Sequence, residues 1–336
     1  MRVAIAAQGF KGGTGRYAKE LINRLGRSYA LLLGVEAGGG LTSYALSFPI
    51  MSARALALKG HVDLIHLTSS YVPMALPTGA RAVMTWHDLF PLRYGSAADR
   101  ALFHLSMRNY RRALGMIYSS EETRDELRAY AESHEVWDGS KLQSVISLGV
   151  AEAFLRVDPY SSERSDLAFV GLVHNKHKDL TGLMRVFSYI RKRRDCRLHV
   201  FTSRADSRLV WSESEKFGVR RDIVLHVDLS DDLLALALSH VAALLHVVKA
   251  EGFGLPILES LAVGTPVLVP SSARIPRVTS AYATVADESG LVDHAIELLD
   301  NPHHAGVAAV TYARGFTWER TVKKTMDFYQ DLLSAR

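Results

Sequence analysis

Short apolar runs alternate with amphipathic stretches along most of the chain. The first run covers residues 2–7. Residues 14–25 then place apolar side chains such as Tyr17 and Leu21 on one helical face, with Gly26 as the predicted helix end. Later runs are short and bounded by glycine, proline or polar residues, as is typical of the buried strands of parallel sheets. The pattern therefore predicts an α/β protein with two units of strand–helix repeats, each around a parallel sheet.

The alternation is interrupted at residues 151–166, where Pro159, two serines and mixed charges indicate a linker. We expect one parallel-sheet α/β domain over residues 1–155 and a second over residues 166–316. Two domains agree with the length of 336 residues, since a domain typically has roughly 150.

The composition is that of an ordinary globular protein, with 48% hydrophobic and 22% charged residues. The single cysteine, Cys196, excludes an intramolecular disulfide and a cysteine-rich metal module, and it favours a reducing compartment. No apolar run approaches the roughly 18 residues of a membrane-spanning helix, and the start of the chain resembles a strand more than a signal peptide. We therefore expect a cytoplasmic protein.

The net charge of +5 is concentrated in the first half, where residues 1–160 contain 18 Lys and Arg against 14 Asp and Glu. Solvated helix faces are the simplest interpretation. The alternative is weak attraction to anionic substrates or to anionic lipid head groups, which would hold the protein peripherally at the inner face of a membrane. Nucleic acid is disfavoured as a partner, because no basic stripe is interleaved with stacking aromatic side chains.

The strongest local signal is a glycine-containing segment between two glutamates, Glu251 and Glu259. It follows a predicted buried strand, and Pro256 stands where a first helical turn would begin. Gly252 and Gly254 allow close backbone approach, and the amides that open the helix form a natural anion site. The two carboxylates suit the binding of sugar hydroxyls, since carboxylates are strong hydrogen-bond acceptors. The alternative is an ordinary glycine-rich turn with Glu259 facing solvent.

A second glycine-rich loop follows the first strand and contains Gly9, Gly12, Gly13 and Gly15. Dinucleotide binding is disfavoured, because the G-x-G-x-x-G spacing is missing and no acidic residue ends a second strand about 20 residues later. The bare backbone at Gly12 and Gly13 could instead approach a phosphate or a sugar ring. The alternative is a flexible turn.

Four further positions carry candidate chemistry. Lys178 stands at the start of a predicted helix, where its charge could neutralise a diphosphate, although surface lysines on helices are common. His87 ends a predicted strand and could line a cleft at the carboxyl end of the sheet, or could be a buried, hydrogen-bonded histidine. His174 and His177 are close enough in sequence to suggest a metal, but no third ligand is evident, so we expect none.

Taken together, these motifs resemble the retaining GT-B glycosyltransferases of family 4, among the group 1 glycosyl transferases. The likeness covers essentially the whole chain. It rests on Glu251–Glu259, Gly12-Gly13-Thr14-Gly15-Arg16-Tyr17, Thr85-Trp86-His87-Asp88, Gly149-Val150 with Phe154, His177-Lys178-Asp179-Leu180, and Trp318-Glu319 with Tyr329. The resemblance implies a GT-B fold of two Rossmann-like domains facing a cleft, with residues 317–336 forming a final helix that packs back toward the N-terminal domain.

The resemblance also implies an activity: transfer of a hexose-type sugar, with retention, from a nucleotide-diphosphate sugar to a glycan, lipid-linked or small-molecule acceptor. Such reactions serve cell-envelope polysaccharide or glycoconjugate synthesis, and no metal or other cofactor is expected. The nucleotide (UDP, GDP or dTDP) stays open. Two alternatives also stay open: a sugar-nucleotide epimerase or hydrolase with the same fold, and a degenerate, non-catalytic carbohydrate-binding subunit.

By the same resemblance, Lys178, Glu251 and His87 are the candidate catalytic residues, with Glu251 on the donor-sugar hydroxyls. Glu259 would hold the nucleotide ribose. The full set of candidate donor-binding residues is Gly12, Gly13, Gly252, Phe253, Gly254, Leu255, Glu259 and Lys176.

The chain departs from the family pattern at two points. Val247-Val248 replace a common Pro-Ser pair before the acidic loop, and Arg277 replaces the glutamate of a common Pro-Glu-Val. The first change is expected to alter loop packing, and the second to place a cation near the donor pocket, where it would affect the choice of nucleotide or sugar.

Overall fold

The computed structural model describes residues 1–10, 12–25, 29–33, 40–160 and 163–335. The predicted helix end at Gly26 lies outside these residues. The chain divides into two compact units, the first formed by Met1–Leu148 with Trp318–Arg336 and the second by Gly149–Thr317. This division falls just before the segment that the sequence indicates as a linker.

The first unit is built around six strands: β1 (Val3–Ala7), β2 (Tyr29–Leu33), β3 (Leu64–Leu67), β4 (Ala82–Trp86), β5 (Gly115–Tyr118) and β6 (Leu142–Val145). They form one sheet in the order β2-β1-β3-β4-β5-β6, and every neighbouring pair is parallel. Strands β1, β3, β4 and β5 are buried along their whole length, as strands of a parallel sheet covered on both faces are expected to be.

Among the described residues, six helices belong to this unit: α1 (Gly12–Leu25), α2 (Gly40–Leu58), α3 (Phe90–Arg93), α4 (Ala97–Arg112), α5 (Glu121–Ser133) and, near the end of the sequence, α14 (Trp318–Ser334). Helix α14 packs against α1. Its Phe328 and Tyr329 share a hydrophobic core with Val3 and Ile5 of β1. The last helix is therefore part of the first unit, although the rest of that unit ends at Leu148.

Capping side chains fix where two of these helices begin. Ser96 accepts a hydrogen bond from the Asp99 amide, and the Asp99 carboxylate accepts one from the Ser96 amide, so the two residues form a capping box before α4. Ser120 accepts from the Thr123 amide in the same way at the start of α5. Both caps satisfy amides that the first helical turn leaves without a partner.

The second unit contains another parallel sheet, which has six strands among the described residues: β7 (Ser165–Val170), β8 (Leu198–Thr202), β9 (Ile223–Val227), β10 (Val241–Leu245), β11 (Val267–Pro270) and β12 (Thr284–Ala286). The order is β12-β11-β10-β7-β8-β9, and each neighbouring pair is parallel. Its helices are α6 (Glu152–Arg156), α7 (Leu180–Arg193), α8 (Ser207–Lys216), α9 (Asp231–Ser239), α10 (Leu255–Ala262), α11 (Arg277–Ser280), α12 (Glu288–Asp300) and α13 (Val307–Arg314).

The strand order creates one topological switch point in each sheet. In the second unit, β7 continues through α7 to β8 on one side, whereas its neighbour β10 continues through α10 to β11 on the other. In the first unit, β1 leads through α1 to β2, while its neighbour β3 leads the opposite way to β4. Connections that diverge between adjacent parallel strands leave a crevice at their carboxyl ends, and ligands of open α/β sheets bind there.

The predicted fold class, two parallel-sheet α/β units, is confirmed. The sequence pattern missed α2, because this helix has scattered serines and Pro49 in a mostly apolar sequence and so lacks one polar face. Part of the predicted linker is also regular structure, since residues 152–156 form α6. Arg164, in the same segment, is buried and donates to the Val263 carbonyl at 2.9 Å and to Thr265 Oγ1 at 2.6 Å. Among the helices of the described ranges, none is long and apolar enough to cross a membrane.

Candidate active site

The loop between β10 and α10 carries Glu251 and the glycines. Gly254 adopts φ +100°, a left-handed conformation that favours glycine, and a Cβ built there would lie 3.1 Å from Thr279 Oγ1. Thr279 Oγ1 donates to the Phe253 carbonyl at 2.7 Å, so this buried threonine fixes the loop just before the helix. Helix α10 then starts at Leu255 with a proline in its first turn, as the sequence predicts.

The backbone of the same loop is fixed from a second side by Arg274. The Glu251 amide donates to the Arg274 carbonyl at 2.9 Å, and the Arg274 amide donates to the Lys249 carbonyl at 3.0 Å. Two backbone hydrogen bonds therefore hold the residues on either side of Ala250. The position of the Glu251 Cα is consequently set by the fold and not by its side-chain contacts alone.

Glu251 meets Lys178 across the switch point of the second unit. Lys178 follows β7 and Glu251 follows β10, and the two strands pair directly. Parallel neighbours end at the same edge of a sheet, which brings these residues together although 73 positions separate them. The Lys178 ammonium donates to Glu251 Oε1, and each side chain is only 9% exposed. The sequence singles out both residues, and the fold joins them in one ion pair.

A third side chain completes this cluster. His246 directly follows β10 and is fully buried, and its Nε2 lies 2.8 Å from the same Glu251 Oε1. Its ring stacks on Phe169 of β7, with ring centroids 6.3 Å apart. The sequence pattern does not single out His246, because it lies inside an apolar run that predicts a buried strand.

The charges of this cluster follow from its burial and its contacts. Burial would raise the pKa of Glu251, but the Lys178 ammonium and the His246 ring outweigh it and hold that pKa well below its ordinary value. Burial lowers the pKa of His246, and the bond to Glu251 only partly opposes this. Burial and the nearby Lys178 charge lower the pKa of His177 to about 4. At neutral pH the cluster thus contains an ionised carboxylate beside two neutral imidazoles.

The segment that carries Lys178 is anchored at two points. The stem of Lys178 passes over Gly171, where a Cβ would come within 3.3 Å of its Cδ and Cε. Asp206, which is buried, accepts from the Val173 amide at 3.0 Å and lies 2.7 Å from His174 Nδ1. His174 is thereby directed toward Asp206, and Lys176 is exposed. The donor-binding role of Lys176 stays a prediction.

The rest of the acidic motif is buried. Glu259 is 3% exposed within α10, so the alternative of a solvent-facing carboxylate is wrong. Phe253 and Leu255, which lie earlier in the motif, are also buried, and Gly252 is half-buried. The role of Glu259 in holding the nucleotide ribose stays a prediction.

In the first unit, α1 follows β1 and begins at Gly12, two residues before the helix start that the sequence predicts, so Gly12, Gly13 and Gly15 lie in its first turn. Gly12 has φ +68°, and a Cβ at Gly12 or Gly13 would meet no atom within 4 Å. Gly15 is different, because a Cβ there would lie 2.3 Å from the carbonyl carbon of Phe10. Gly12 and Gly13 are exposed at the carboxyl end of β1, beside the switch point of this sheet.

His87 directly follows β4, as predicted, and is buried at its carboxyl end. Its Nε2 donates to the Thr68 carbonyl at 2.9 Å, and the Tyr17 ring packs edge-on against it at 5.1 Å. Burial lowers the pKa of His87 to about 4, so the ring is neutral at neutral pH. These contacts describe a buried, hydrogen-bonded histidine, and a catalytic role for it stays a prediction. Asp88 orders the following turn, since its Oδ1 accepts from the Phe90 amide at 2.9 Å.

Within the described ranges, no three His, Cys, Asp or Glu side chains are grouped so that they could hold a metal ion. Four structural residues of the site carry no motif that sequence reasoning could have used: Gly171, Asp206, His246 and Thr279. Each acts through a contact with a residue distant in sequence or through the packing of a loop.

The second unit matches a known family. Residues 164–301 match the family model described as Glycosyl transferases group 1. A curated relative, the O-antigen chain mannosyltransferase B of Escherichia coli, is 30% identical over 86 residues, which are 24% of this chain and 23% of the relative. This chain therefore covers less than a quarter of the length of that relative.

Several solved structures share the fold of the whole chain. A sucrose-phosphate synthase from Thermosynechococcus elongatus superposes with a TM-score of 0.74 at 15% identity, over 99% of each chain. WaaG, a glycosyltransferase involved in lipopolysaccharide biosynthesis, gives 0.69 at 14% identity, over 99% of this chain and 100% of its own. A glycosyltransferase from Rickettsia africae gives 0.67 at 14% identity, over 99% and 98%. At these identities the likeness establishes the fold.

The predicted GT-B fold is confirmed. The resemblance to the group 1 glycosyl transferases is confirmed as well, through the family match over residues 164–301, which include Lys178, Glu251 and Glu259. Membership in family 4 stays a prediction.

Proposed function

We propose that the protein is a retaining glycosyltransferase that moves a hexose-type sugar from a nucleotide-diphosphate sugar to a glycan, glycolipid or small-molecule acceptor. The observation that carries this proposal is the buried pair of Lys178 and Glu251 ahead of α10, inside the group 1 match. The relatives named for O-antigen and lipopolysaccharide synthesis support a role in cell-envelope polysaccharide or glycoconjugate synthesis.

The donor diphosphate is assigned to the start of α10 and to Lys178. Amides at a helix N-terminus have no intrahelical partner and attract anions, and the glycines at 252 and 254 let a phosphate approach the backbone. Lys178 adds one positive charge in a site where burial excludes most water. Both features stabilise the negative charge that develops on a departing diphosphate.

The two carboxylates are assigned to hydroxyl groups of the donor. Glu251, held ionised, accepts hydrogen bonds from the sugar, and Glu259, about one turn inside α10, accepts from the ribose. In the transfer step, the bond between the anomeric carbon and the diphosphate oxygen breaks and a bond to the acceptor oxygen forms. The nucleoside diphosphate leaves with the electron pair of the broken bond, and the proton of the acceptor hydroxyl passes to the departing diphosphate or to water. Positioning and leaving-group stabilisation carry the catalysis in this assignment. We expect no metal to take part.

The proposal is tested first by thermal shift against UDP-glucose, UDP-galactose, GDP-mannose and dTDP-glucose. A true donor raises the melting temperature by an amount that grows with the logarithm of its concentration above the Kd, and an unchanged temperature with all four would contradict the proposal. Glu259→Ala is then expected to weaken nucleotide binding measured by calorimetry.

The role of Lys178 is tested by transfer assays with the donor identified in this way. Lys178→Ala is expected to lower turnover by about 10²–10³-fold, the usual effect of removing one electrostatic stabiliser of a transition state. Lys192→Ala, an exposed lysine on α7, serves as the matched control and should leave turnover unchanged. Equal turnover in both variants would refute the diphosphate role.

The same assays separate the alternatives. An epimerase or hydrolase consumes the sugar nucleotide without any acceptor, so product analysis in an acceptor-free reaction identifies it. A non-catalytic subunit binds carbohydrate but consumes no donor. Val247-Val248 and Arg277 keep this possibility open, whereas the intact pair of Lys178 and Glu251 argues against it.

A further inference from the structure

His246 has a well-defined protonation state in this site. A carboxylate can only accept hydrogen bonds, so the 2.8 Å contact with Glu251 Oε1 places the proton on His246 Nε2. The ring is neutral, and Nδ1 is therefore an acceptor without a hydrogen. This Nδ1 is buried and has no hydrogen-bond partner among the described residues.

Packing alone does not explain a histidine at this position. The ring is fully buried beside Phe169 at the end of an apolar strand. An aliphatic side chain would fill such a space equally well. The histidine leaves a buried nitrogen without a hydrogen-bond partner, and this is unfavourable. The favourable contact that the histidine adds is the hydrogen bond from Nε2 to Glu251.

Lys178 faces two demands that conflict. In the ligand-free protein its ammonium is bonded to Glu251, whereas the proposed function assigns the same ammonium to the donor diphosphate. When a diphosphate attracts this charge, Glu251 loses its stronger donor while it remains buried. Without a second donor, a buried carboxylate would move or take up a proton, and either change would spoil its contact with the sugar.

We propose that His246 is a positioning residue that holds Glu251 in place for the donor sugar while Lys178 turns its charge toward the diphosphate. This inference rests on the proposed function. Both donors converge on one oxygen, Oε1, so His246 maintains the direction of the carboxylate that Lys178 establishes in the ligand-free protein.

The test compares His246→Gln with His246→Met. The two side chains have nearly the same length and volume, but only glutamine carries an N–H that can reach Glu251. With a sugar nucleotide that binds the wild type, such as UDP-glucose or GDP-mannose, the methionine variant should lose about 10–100-fold in affinity, as expected for a hydrogen bond to a charged group. The glutamine variant should stay within about threefold of the wild type.

The parent diphosphate, UDP or GDP, provides the readout that a general structural defect would not give. It lacks the sugar that Glu251 is proposed to hold, so its affinity should change less than threefold in both variants. Equal loss of the sugar nucleotide and of its diphosphate in the methionine variant would overturn the proposal, as would an unimpaired methionine variant.

An arm without any ligand separates this inference from the proposed function. Nitrogen NMR of [15N]histidine-labelled protein, with His246→Gln identifying the signal among the 14 histidines, should show a neutral ring protonated at Nε2. Glu251→Gln should shift that signal. A charged ring, or a proton on Nδ1, would refute the hydrogen bond even if no sugar nucleotide binds. If the ring is as expected and no nucleotide binds, the positioning role is rejected together with the proposed function.

Discussion

Replacement of Lys178 by methionine removes one charge from a buried pair and leaves the apolar stem of the side chain in place over Gly171. The variant therefore isolates the electrostatic contribution, because the contacts of Cδ and Cε with the glycine are retained. What remains is a buried Glu251 that has lost its ammonium partner and retains the donor on His246.

The expected loss of stability is large. Removing one partner of a buried ion pair costs about 3–5 kcal/mol, because the other charge is left uncompensated. Both side chains are 9% exposed, so solvent screens the pair little. The retained hydrogen bond from His246 places the expected value at the lower end, about 3 kcal/mol. For a unit of this size, that corresponds to a fall in melting temperature of roughly 6–12 °C.

The loss of stability in Lys178→Met should depend on pH, and the direction of this dependence follows from the pKa of Glu251. A carboxylate with a depressed pKa stabilises the folded protein above its ordinary pKa of 4.5, and this contribution is lost as the pH falls through the folded value. In Lys178→Met, burial dominates and raises the pKa of Glu251, so protonation relieves the penalty. The difference in melting temperature between wild type and variant should therefore shrink from pH 7.5 to pH 5.

Scanning calorimetry at the two pH values measures both effects, with Lys192→Met as a control on the exposed face of α7. The control should remain within about 0.5 kcal/mol of the wild type. A Lys178→Met protein that melts like the control at pH 7.5 would show that the pair contributes nothing to folding. A deficit in melting temperature that is the same at pH 5 would show that protonation of Glu251 does not relieve the penalty, and the electrostatic reasoning would be wrong.

Three further predictions concern backbone and capping. Gly254→Ala forces a side chain onto φ +100° and should cost about 1–3 kcal/mol in urea unfolding, whereas Gly306→Ala, which meets no atom within 4 Å, should change stability by about 0.5 kcal/mol or less. Gly15→Ala places a Cβ 2.3 Å from backbone and should unfold the first unit, seen as a lost circular-dichroism transition, while Gly13→Ala should melt normally. Ser96→Ala should lower the unfolding free energy by about 1 kcal/mol and Ser96→Thr, which keeps the hydroxyl, should restore most of it, and equal values for both would contradict the capping role.

Sequence reasoning identified those parts of the site whose residues lie within one continuous segment of the chain. Glu251 lies in a loop and Glu259 in the helix that follows it, and the glycines and Pro256 of this segment are enough to predict the turn and the start of the helix. The contact of Glu251 with Lys178 depends instead on which strands are neighbours. Strand adjacency is a property of the whole sheet and leaves no trace in either local segment.

The roles of His246 and Thr279 in the site could not be predicted from the sequence, for a different reason. A histidine in an apolar run predicts only a buried strand end. Its contact with Glu251 depends on the conformation of the turn that follows the strand, which the apolar pattern does not predict. Thr279 lies in the four-residue helix α11 and reaches back to the Phe253 carbonyl, a contact between loops that no periodicity encodes. Helix α2 was missed because a periodic pattern requires a polar face, which its sequence lacks.

The switch point of the second unit combines a buried cation with the start of a helix, and this combination bears on the role of that unit. In the second unit, Lys178 and the start of α10 offer a cation and backbone amides, which suit a ligand with several negative charges. In the first unit, the corresponding edge presents the bare backbone of Gly12 and Gly13 and the neutral ring of His87, whose pKa is lowered to about 4. The buried charge of Lys178 beside the start of α10 therefore supports assigning the donor diphosphate to the second unit.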